Sequence, residues 1–524
     1  MRRDSLKSVT TLFLNFFAAA LSPSCSLDEA RAESGSARKG AIEGEIVKHR
    51  SAYRRPWISQ RFIQATALVL PFLAACSSGP DYRRPDLETP AAYKEAGPWK
   101  AGEPRDHQPR GKWWEVFGDV TLNTLQDQVE ISNHTLHIAE AQYRQALAAS
   151  QSARAGLFPA LSATLSASRN EAAGNQAAKS GAVGSGPVNS RSLGVAASWE
   201  VDVWGRVQRL AEAGEASAAA SAADLEAARL SAHALLAQNY FLLRMNERQA
   251  RLLEETAAAY EKSLQLTRNR YAAGIATGLD VAQAEAQYQT TRAQTIDLGI
   301  QRAQLEHAIA LLVGTAPGDF TLRSEEFLPR LLAVPPGLPS ALLERRPDIA
   351  AAERRVMAAN ASYGAASAAF FPILTLSATG GFQSDRLSNW FTLPSRYWSL
   401  GPSLAQSLFD AGLRRAQSEQ ALAAYDASVA SYRQTVLSGF QEVEDQLAAL
   451  RLLEQEAREQ DAAVKAARQA EKLALNQYQA GTVSYLNVVT AQAAALASER
   501  SAADILTRRL TASVALVKGL GGGW

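Results

Sequence analysis

The sequence predicts a mainly α-helical chain with four β-strands, built as two copies of one structural unit. Three observations lead to this fold class: two very long stretches with almost no helix breakers, four segments in which apolar and polar residues alternate, and motifs that occur twice at nearly constant spacing. Each copy reads as a helix, two strands, a long helix, a turn and a final helix.

An export signal is predicted near the N-terminus. Arg54 and Arg61 lead into a short apolar run, which ends in the tetrapeptide Leu-Ala-Ala-Cys at Cys76. A basic segment, an apolar segment and small residues before the cleavage site are typical of such signals, and this run is too short to span a bilayer. The tetrapeptide resembles the lipobox of bacterial lipoproteins. Cys76 is therefore expected to carry N-palmitoyl and S-diacylglycerol groups, and Ser77 to favour sorting to the outer membrane.

The sequence also predicts where the removed N-terminal part ends and where translation begins. Residues 1–75 are expected to be an N-terminal extension and signal peptide that is removed, and residues 76–120 a lipidated linker. A lipoprotein signal rarely begins so far ahead of its cysteine, and none of the three methionines offers a start nearer to it. We therefore expect translation to begin near Val47.

Composition argues against catalysis. The formal net charge of +2 gives no sign of a nucleic-acid partner, and the two cysteines, Cys25 and Cys76, leave no free thiol for a metal site in the mature chain. His134, His137 and Glu140 share a helix face, but no metal-binding motif supports them, and we interpret them as solvated. No P-loop, dinucleotide-binding fingerprint or nucleophile elbow occurs. We expect no enzyme activity, no metal and no cofactor besides the lipid.

Two sets of motifs reveal an internal duplication. The equivalent pairs are Phe158 and Phe371 at an offset of 213 positions, and Tyr271 and Tyr478, with Gly274 and Gly481, at an offset of 207 positions. The first repeat is expected to span residues 121–330 and the second residues 347–518. A connecting segment is expected at residues 331–346 and a C-terminal tail at residues 519–524.

Four segments alternate between apolar and small polar residues, as membrane β-barrel strands do, although a soluble sandwich would alternate too. They form two predicted hairpins, at about residues 160–204 and 373–409. Four strands cannot close a barrel, and lipid does not tolerate open sheet edges, so membrane strands in this number predict a barrel shared between chains. Trp199 and Val201 are predicted to face lipid, whereas Ser198 and Glu200 are predicted to face the lumen or its mouth.

The long helices are predicted at residues 206–273 and 414–480, neither of which contains proline. At about 1.5 Å per residue each would extend roughly 100 Å, which exceeds an ordinary globular core and matches a tube across the periplasm. Helices at about residues 122–156 and 279–312 are each nearly half as long. We expect these shorter helices to stack end to end beside a long one.

Several local motifs carry a resemblance to one family. They are Gly79-Pro80-Asp81-Tyr82, Trp113-Trp114, Arg345-Arg346-Pro347-Asp348-Ile349, Phe409-Asp410, and Tyr478 with Gly481. Together they resemble the outer-membrane factor (TolC-like) family of tripartite efflux pumps, in its NodT-like and OprM-like lipoprotein branch. The resemblance covers about residues 76–518.

The resemblance implies a homotrimer in the outer membrane, with a twelve-stranded β-barrel and a twelve-helix tunnel in the periplasm. It also implies a passive conduit for drugs or other small solutes. An inner-membrane transporter of the RND type and a periplasmic adaptor (membrane fusion protein) would deliver these solutes, and outer-membrane lipid would surround the barrel.

In this family the tunnel narrows to a closed periplasmic tip at its helix–turn–helix ends, which the resemblance places at the turns of Gly274 and Gly481. The candidate gate residues are Asp280, Leu486, Asn487 and Thr490. Related channels often carry a carboxylate where this chain has Thr490. An apolar constriction at Leu486 is therefore expected rather than a closed ring of carboxylates.

Two other functions are compatible with parts of the pattern. A type I secretion channel would use the same fold. A lipid-tethered periplasmic coiled-coil scaffold would explain the long helices and the anchor, but not four alternating strands placed symmetrically in the two copies. A wide lumen lined by serine, threonine and glycine selects little, so the sequence names no substrate.

Overall fold

The computed structural model describes residues 79–85, 92–93, 96–98, 111–171, 187–325, 327, 330 and 346–522. The expected signal peptide, Val47, Cys76, Ser77 and nearly all of the connecting segment lie outside these residues. Within the described ranges, no helix combines the length and the apolar character that crossing a membrane requires.

Seven α-helices follow one another in the described part of the chain. They are α1 (Val120–Ser132), α2 (His134–Ala155), α3 (Arg206–Ala272), α4 (Gly278–Leu312), α5 (Pro347–Ala368), α6 (Leu413–Gln479) and α7 (Tyr485–Gly519). Four longer strands form one antiparallel sheet in chain order: β1 (Ala160–Asn170), β2 (Val188–Val201), β3 (Ile373–Ser384) and β4 (Arg396–Ala405). A 3-10 helix, Trp113–Phe117, precedes α1, and Ala92–Tyr93 pairs with Ala96–Pro98.

The lengths of the helices confirm the internal duplication. α2 and α5 have 22 residues each, α3 and α6 have 67 each, and α4 and α7 have 35 each. The long helices also begin alike, because Gly205 and Gly412 precede them with left-handed φ values of 76° and 89°, which glycine adopts without strain. Asp202 and Asp410 then accept hydrogen bonds from backbone amides of the first turn.

The first helix differs from the prediction, because residues 122–156 form two helices rather than one. Asn133 separates α1 from α2 with an extended backbone of φ −70° and ψ 115°. Its Oδ1 accepts a hydrogen bond from the Leu136 amide at 3.1 Å and caps α2, while its Nδ2 donates to the Leu312 carbonyl at 2.7 Å. The break therefore ties the start of α2 to the end of α4.

The end-to-end stacking of the shorter helices is confirmed in both copies. α2 and α4 pack along α3, and α5 and α7 pack along α6. In the second copy, Nη1 of Arg346, just before α5, donates to the Gly519 carbonyl at 3.1 Å. Arg346 follows Asn133 by 213 positions and Gly519 follows Leu312 by 207, so a different side chain makes the equivalent tie in each copy.

The helices lie side by side in a fixed order. The pair α2 and α4 is followed by α3, then by the pair α5 and α7, and finally by α6, because α3 packs against both pairs and α6 packs against the second. The order of the helices therefore follows the chain, as does the order of the strands in the sheet.

The largest apolar cluster surrounds the middle of α3 and anchors the 3-10 helix. Trp114 and Phe117 belong to it, together with Phe241, which is 1% exposed. The ring of Trp114 stacks on His233 at 4.4 Å, and Nε2 of His233 lies 2.8 Å from a carboxylate oxygen of Glu130 on α1. Burial lowers the pKa of the His233 imidazole.

Buried charges fix the segment that follows α4. Arg244 is 1% exposed and donates to Glu247 at 3.0 Å and to the Arg323 carbonyl at 2.8 Å. Arg302 of α4 donates to the same glutamate at 3.2 Å and to the Leu322 carbonyl at 2.7 Å. Removing one partner of a buried ion pair leaves an uncompensated charge, which costs about 3–5 kcal/mol, so these pairs hold the segment in one place.

Replacing Asn133 with alanine should lower the free energy of unfolding by about 2 kcal/mol, because it removes a helix cap and leaves the Leu312 carbonyl without its donor at a partly buried site. Urea unfolding followed by circular dichroism in detergent measures the change. Asn476→Ala, on the exposed surface of α6, is the control and should change the free energy by less than about 0.5 kcal/mol. Equal losses in the two variants would contradict the proposed tie.

Candidate functional site

The four-stranded sheet has one apolar and one polar face. Apolar residues pair across every strand junction: Leu165 with Leu193, Trp199 with Leu376, and Leu374 with Leu404. Polar residues pair on the other face, as Ser166 with Ser192 and Thr375 with Ser403. A slip of one residue would exchange the two faces, so the register is strongly specified.

The end of β2 joins the sheet to α3. Glu200 accepts hydrogen bonds from Nε and Nη2 of Arg206 at 2.9 and 2.7 Å. Nε1 of Trp199 donates to the Leu157 carbonyl at 3.1 Å. Val201 is the last residue of β2, so it lies at the helical end of the sheet, whereas Val195 lies near the middle.

Two helix–turn–helix tips lie at the far ends of the long helices. Gly274 and Gly481 take φ values of 73° and 77° there. In each turn, the amide of the residue after the glycine donates to a carbonyl five positions earlier. The two turn residues named from the sequence therefore occupy equivalent tips with the same backbone geometry.

The two tips differ in how their second helix is capped. Thr277 and Asp280 form a capping box before α4, in which the Thr277 amide donates to the Asp280 carboxylate at 2.8 Å and the Asp280 amide donates to Oγ1 of Thr277 at 3.2 Å. The equivalent positions before α7 hold Ser484, which makes no side-chain cap, and Asn487. The Asp280 carboxylate therefore points back to its own helix N-terminus, where the helix dipole favours negative charge.

Arg270 joins the two tips of one chain. Its Nη1 donates to the Gln479 carbonyl at the end of α6 at 3.0 Å, and its guanidinium lies 4.7 Å above the ring of Tyr478. Tyr478 in turn contacts Tyr485 with 5.1 Å between ring centres. Burial raises the pKa of the Tyr485 hydroxyl to about 12. The end of α3 is therefore held against the end of α6.

Three of the four candidate gate residues lie together on the first two turns of α7. Leu486 is 52% exposed, and Asn487 is exposed beside it. The Thr490 hydroxyl donates to the Leu486 and Asn487 carbonyls at 3.0 Å, so it is used within its own helix. Asp280 lies at the other tip, with Leu279, which is 67% exposed, as its neighbour.

The contact made by Arg270 was not predicted from the sequence, although comparing the two copies position by position would have singled this residue out. The position 207 residues later holds Gln477, so the first copy has a cation where the second has an amide. His134 and His137 are exposed on α2, and no group of three His, Cys, Asp or Glu residues in the described ranges is placed to bind a metal ion.

Comparison with known proteins identifies the family. Residues 125–315 and 338–522 match the sequence profile of the outer membrane efflux protein family. The chain belongs to this family. It is 33% identical over 454 residues to the toluene efflux pump outer membrane protein TtgC of Pseudomonas putida, a match that covers 86% of this chain and 93% of TtgC.

Other comparisons agree with this family. The chain is 34% identical over 458 residues to the pyoverdine export outer membrane protein OpmQ of Pseudomonas aeruginosa, covering 86% of this chain and 95% of OpmQ. The solved structure of the outer-membrane channel OprN superposes with a TM-score of 0.77 at 33% identity, covering 86% of this chain and 100% of that one.

The fold is that of the outer membrane efflux channels, and the chain resides in the outer membrane. Its four-stranded sheet leads directly into the long helices α3 and α6. The protein is therefore an outer-membrane efflux channel. The alternative function as a lipid-tethered periplasmic scaffold does not explain a sheet whose register keeps one face apolar.

Replacing Val195 with arginine should reduce assembly, because a cation on the lipid face near the middle of the bilayer costs about 2–4 kcal/mol. Ala196→Arg is the matched control, since it lies at the same depth on the polar face and should assemble normally. The amount of heat-resistant oligomer in outer-membrane fractions measures both. Equal loss of oligomer from the two variants would contradict the assignment of the faces.

Proposed function

We propose that the chain is the passive outer-membrane conduit of a tripartite pump, in which a periplasmic adaptor and an inner-membrane RND transporter deliver drugs or other small solutes. The observation that carries the proposal is the joining, in one chain, of a sheet with an apolar face to two helices of 67 residues each. Helices of that length extend roughly 100 Å, which reaches far beyond the membrane toward a partner.

The order of the elements supports a ring of chains. β1 and the pair α2 and α4 lie at one edge of the chain, while β4 and α6 lie at the other. One head-to-tail rotation therefore closes the strand layer and the helix layer together. Three copies give twelve strands, above the minimum of about eight that a membrane barrel needs.

Cargo selection is proposed to belong to the transporter rather than to this chain. TtgC is named for toluene efflux and OpmQ for pyoverdine export, so relatives of similar identity are named for chemically different cargoes. The polar face of the described sheet carries small side chains such as Ser166, Ser192 and Ser403, and the Glu200 carboxylate on that face is paired with Arg206. We assign the chain no catalytic role, and the energy for transport comes from the transporter.

The tips are proposed to form the periplasmic gate, with Leu486 as its apolar constriction. The Asp280 carboxylate is engaged by Thr277, and the Thr490 hydroxyl is engaged within α7, so neither is directed away from its helix. Leu486 is left as a large apolar side chain exposed at the second tip. Asn487 lies next to it and takes the place that Asp280 has in the first copy.

Replacing Leu486 with serine should raise single-channel conductance in planar bilayers at least about twofold, because polar side chains at a narrow apolar ring favour wetting of the pore. Leu473→Ser is the control, since Leu473 is similarly exposed, at 49%, on the shaft of α6. If Leu486→Ser lowers oligomer stability while conductance per channel stays unchanged, the gate assignment is wrong. A purified wild-type protein that forms no pore would contradict the conduit itself.

Cys76 is proposed to carry the lipid anchor, because a basic segment, a short apolar run and small residues precede it. Metabolic labelling with palmitate should mark the wild-type chain and not Cys76→Ser. Cys25→Ser should keep the label, since that cysteine lies in the part expected to be removed. Label that survives Cys76→Ser would place the lipid on another residue.

A further inference from the structure

The apolar face of the sheet carries charge at one end only. In the described strands this face holds three charged residues, and all three are arginines: Arg169 on β1, Arg191 on β2 and Arg396 on β4. An even number of positions separates each of them from the apolar residues of its own strand, so the side chains leave the sheet on the same face. All three lie away from the helices, which join the sheet at its other end.

The three arginines lie on one slanted line across the sheet. The cross-strand pairs place Leu165, Leu193 and Arg396 in one row. Compared with that row, Arg169 lies four positions farther from the helices and Arg191 lies two. Four residues and three strand spacings each measure about 14 Å, so the line makes an angle of about 45° with the row. Membrane strands tilt by about 35–45°, so a line of this slope is level with the membrane if it runs in the direction of the tilt.

The ends of the strands give the direction of the tilt. β1 ends at Asn170, five positions beyond the row, whereas β4 begins in the row at Arg396. Toward the helices, β1 starts at Ala160, five positions from the row, and β4 runs nine positions from it to Ala405. Both edges of the sheet therefore descend from β1 to β4 by four or five positions, as the line of arginines does. The three arginines lie at one height in the membrane.

That height is the boundary of the hydrocarbon layer. From Arg191 to Val201, β2 runs ten residues. Ten residues measure about 34 Å along a strand, and at a tilt of 45° they span about 24 Å of membrane. The apolar band of a membrane barrel is about 25 Å tall. Arg191 therefore lies where the band ends, at a depth where a cation on the lipid face costs far less than at the midplane.

The connection between β3 and β4 brings aromatic rings to the same face. Phe391 lies against Phe382, a residue of the apolar face, with 5.7 Å between ring centres, and it stacks on Trp390 at 5.0 Å. Nε1 of Trp390 donates to the Phe382 carbonyl at 3.3 Å. Phe391 remains 63% exposed and Leu393 remains 78% exposed. Aromatic girdles lie at the interfaces of membrane barrels, so this connection independently indicates an interface beside the arginines.

The charges of the three guanidinium groups are not compensated within the described chain. Arg169 and Arg396 form no ion pair with a described residue. Nη1 of Arg191 donates to the Asp385 carbonyl at 2.8 Å, which is a neutral acceptor. Two carboxylates close to this edge, those of Glu171 and Asp385, follow the last residues of β1 and β3, so neither lies on a strand of the apolar face. The face therefore presents cations alone at this height.

We infer that Arg169, Arg191 and Arg396 bind the phosphate groups of lipid A, the phosphorylated glycolipid of the outer leaflet. The inference rests on the conduit proposed above, because that function places the helices in the periplasm and this edge of the sheet toward the exterior. Lipid must cover the apolar face below the arginines, so the head group of the same lipid lies at their height. A guanidinium binds a phosphate through two parallel hydrogen bonds and is more weakly hydrated than an ammonium group.

A titration of the purified wild-type oligomer tests the site. The oligomer is stripped of bound lipid in detergent and titrated with fluorescent lipid A that carries two phosphates, and then with the same lipid after enzymatic dephosphorylation. The wild type should bind the phosphorylated lipid at least about ten times more tightly. Equal affinity for the two lipids would overturn the inference. If the variant below does not assemble, these two titrations decide the question alone.

The variant that removes the site combines Arg169→Gln, Arg191→Gln and Arg396→Gln. It should bind both lipids with the weaker affinity of the dephosphorylated form, since the acyl chains still contact the apolar face. The matched control also removes three exposed arginines, by Arg433→Gln, Arg458→Gln and Arg468→Gln on α6. The control should keep the tenfold preference. A control that loses the preference as the first variant does would assign it to the net charge of the chain, against the inference.

Inorganic phosphate separates the lipid from a free anion. Phosphate at 100 times the concentration of the labelled lipid should displace less than about a tenth of it, whereas unlabelled lipid A at the same excess should displace nearly all. Equal displacement by both would show a general anion site and overturn the choice of lipid.

Conductance of the wild type in planar bilayers reports on the conduit separately. A protein that conducts but shows no preference for phosphorylated lipid refutes the arginine site alone. A protein that forms no pore refutes the conduit, and the orientation on which the lipid site depends fails with it.

Discussion

The structure depends on one constraint: in hydrocarbon, every backbone amide and carbonyl needs a partner inside the protein. A sheet of four strands meets this requirement at its three internal junctions and leaves β1 and β4 each with an open edge in the described chain. Assembly therefore completes a hydrogen-bond network that the single chain only begins. The helix layer runs in the same order, so the rotation that closes the barrel also closes the tunnel.

Much of this fold could be predicted because its signals are local or periodic. Alternation over ten or more residues identifies a strand and its two faces, and the absence of proline over 67 residues identifies a long helix. The duplication was visible from Phe158 with Phe371 and from Gly274 with Gly481, since turns and strand starts demand particular residues. The family was recognised from short motifs, and its profile match confirms it.

Other features could not be predicted because they depend on contacts distant in sequence. The break at Asn133 is stabilised by a hydrogen bond to the Leu312 carbonyl, and the sequence around Asn133 does not predict this partner. The link from Arg270 to the end of α6 joins residues 209 positions apart. The capping box of Thr277 and Asp280 could have been predicted from the sequence, because a threonine three residues before an acidic residue is the usual pattern of this motif. The family resemblance makes Asp280 a candidate gate residue, and the structure shows that its carboxylate also accepts a hydrogen bond from the Thr277 amide.

α3 and α6 are equal in length, as are α4 and α7, and these matched lengths fix how far the helical part of the channel extends from the sheet. Each extra residue in a helix advances it by 1.5 Å and turns it by about 100°, so a single insertion would rotate every later side chain away from its neighbours. Both long helices start from one sheet and end at tips that contact each other, and the shorter helices must match them. Lengthening the tunnel therefore requires insertions of whole helical repeats in the long helix and in the shorter helix beside it, in both copies at once. Evolution can vary the surface of such a channel far more freely than its length.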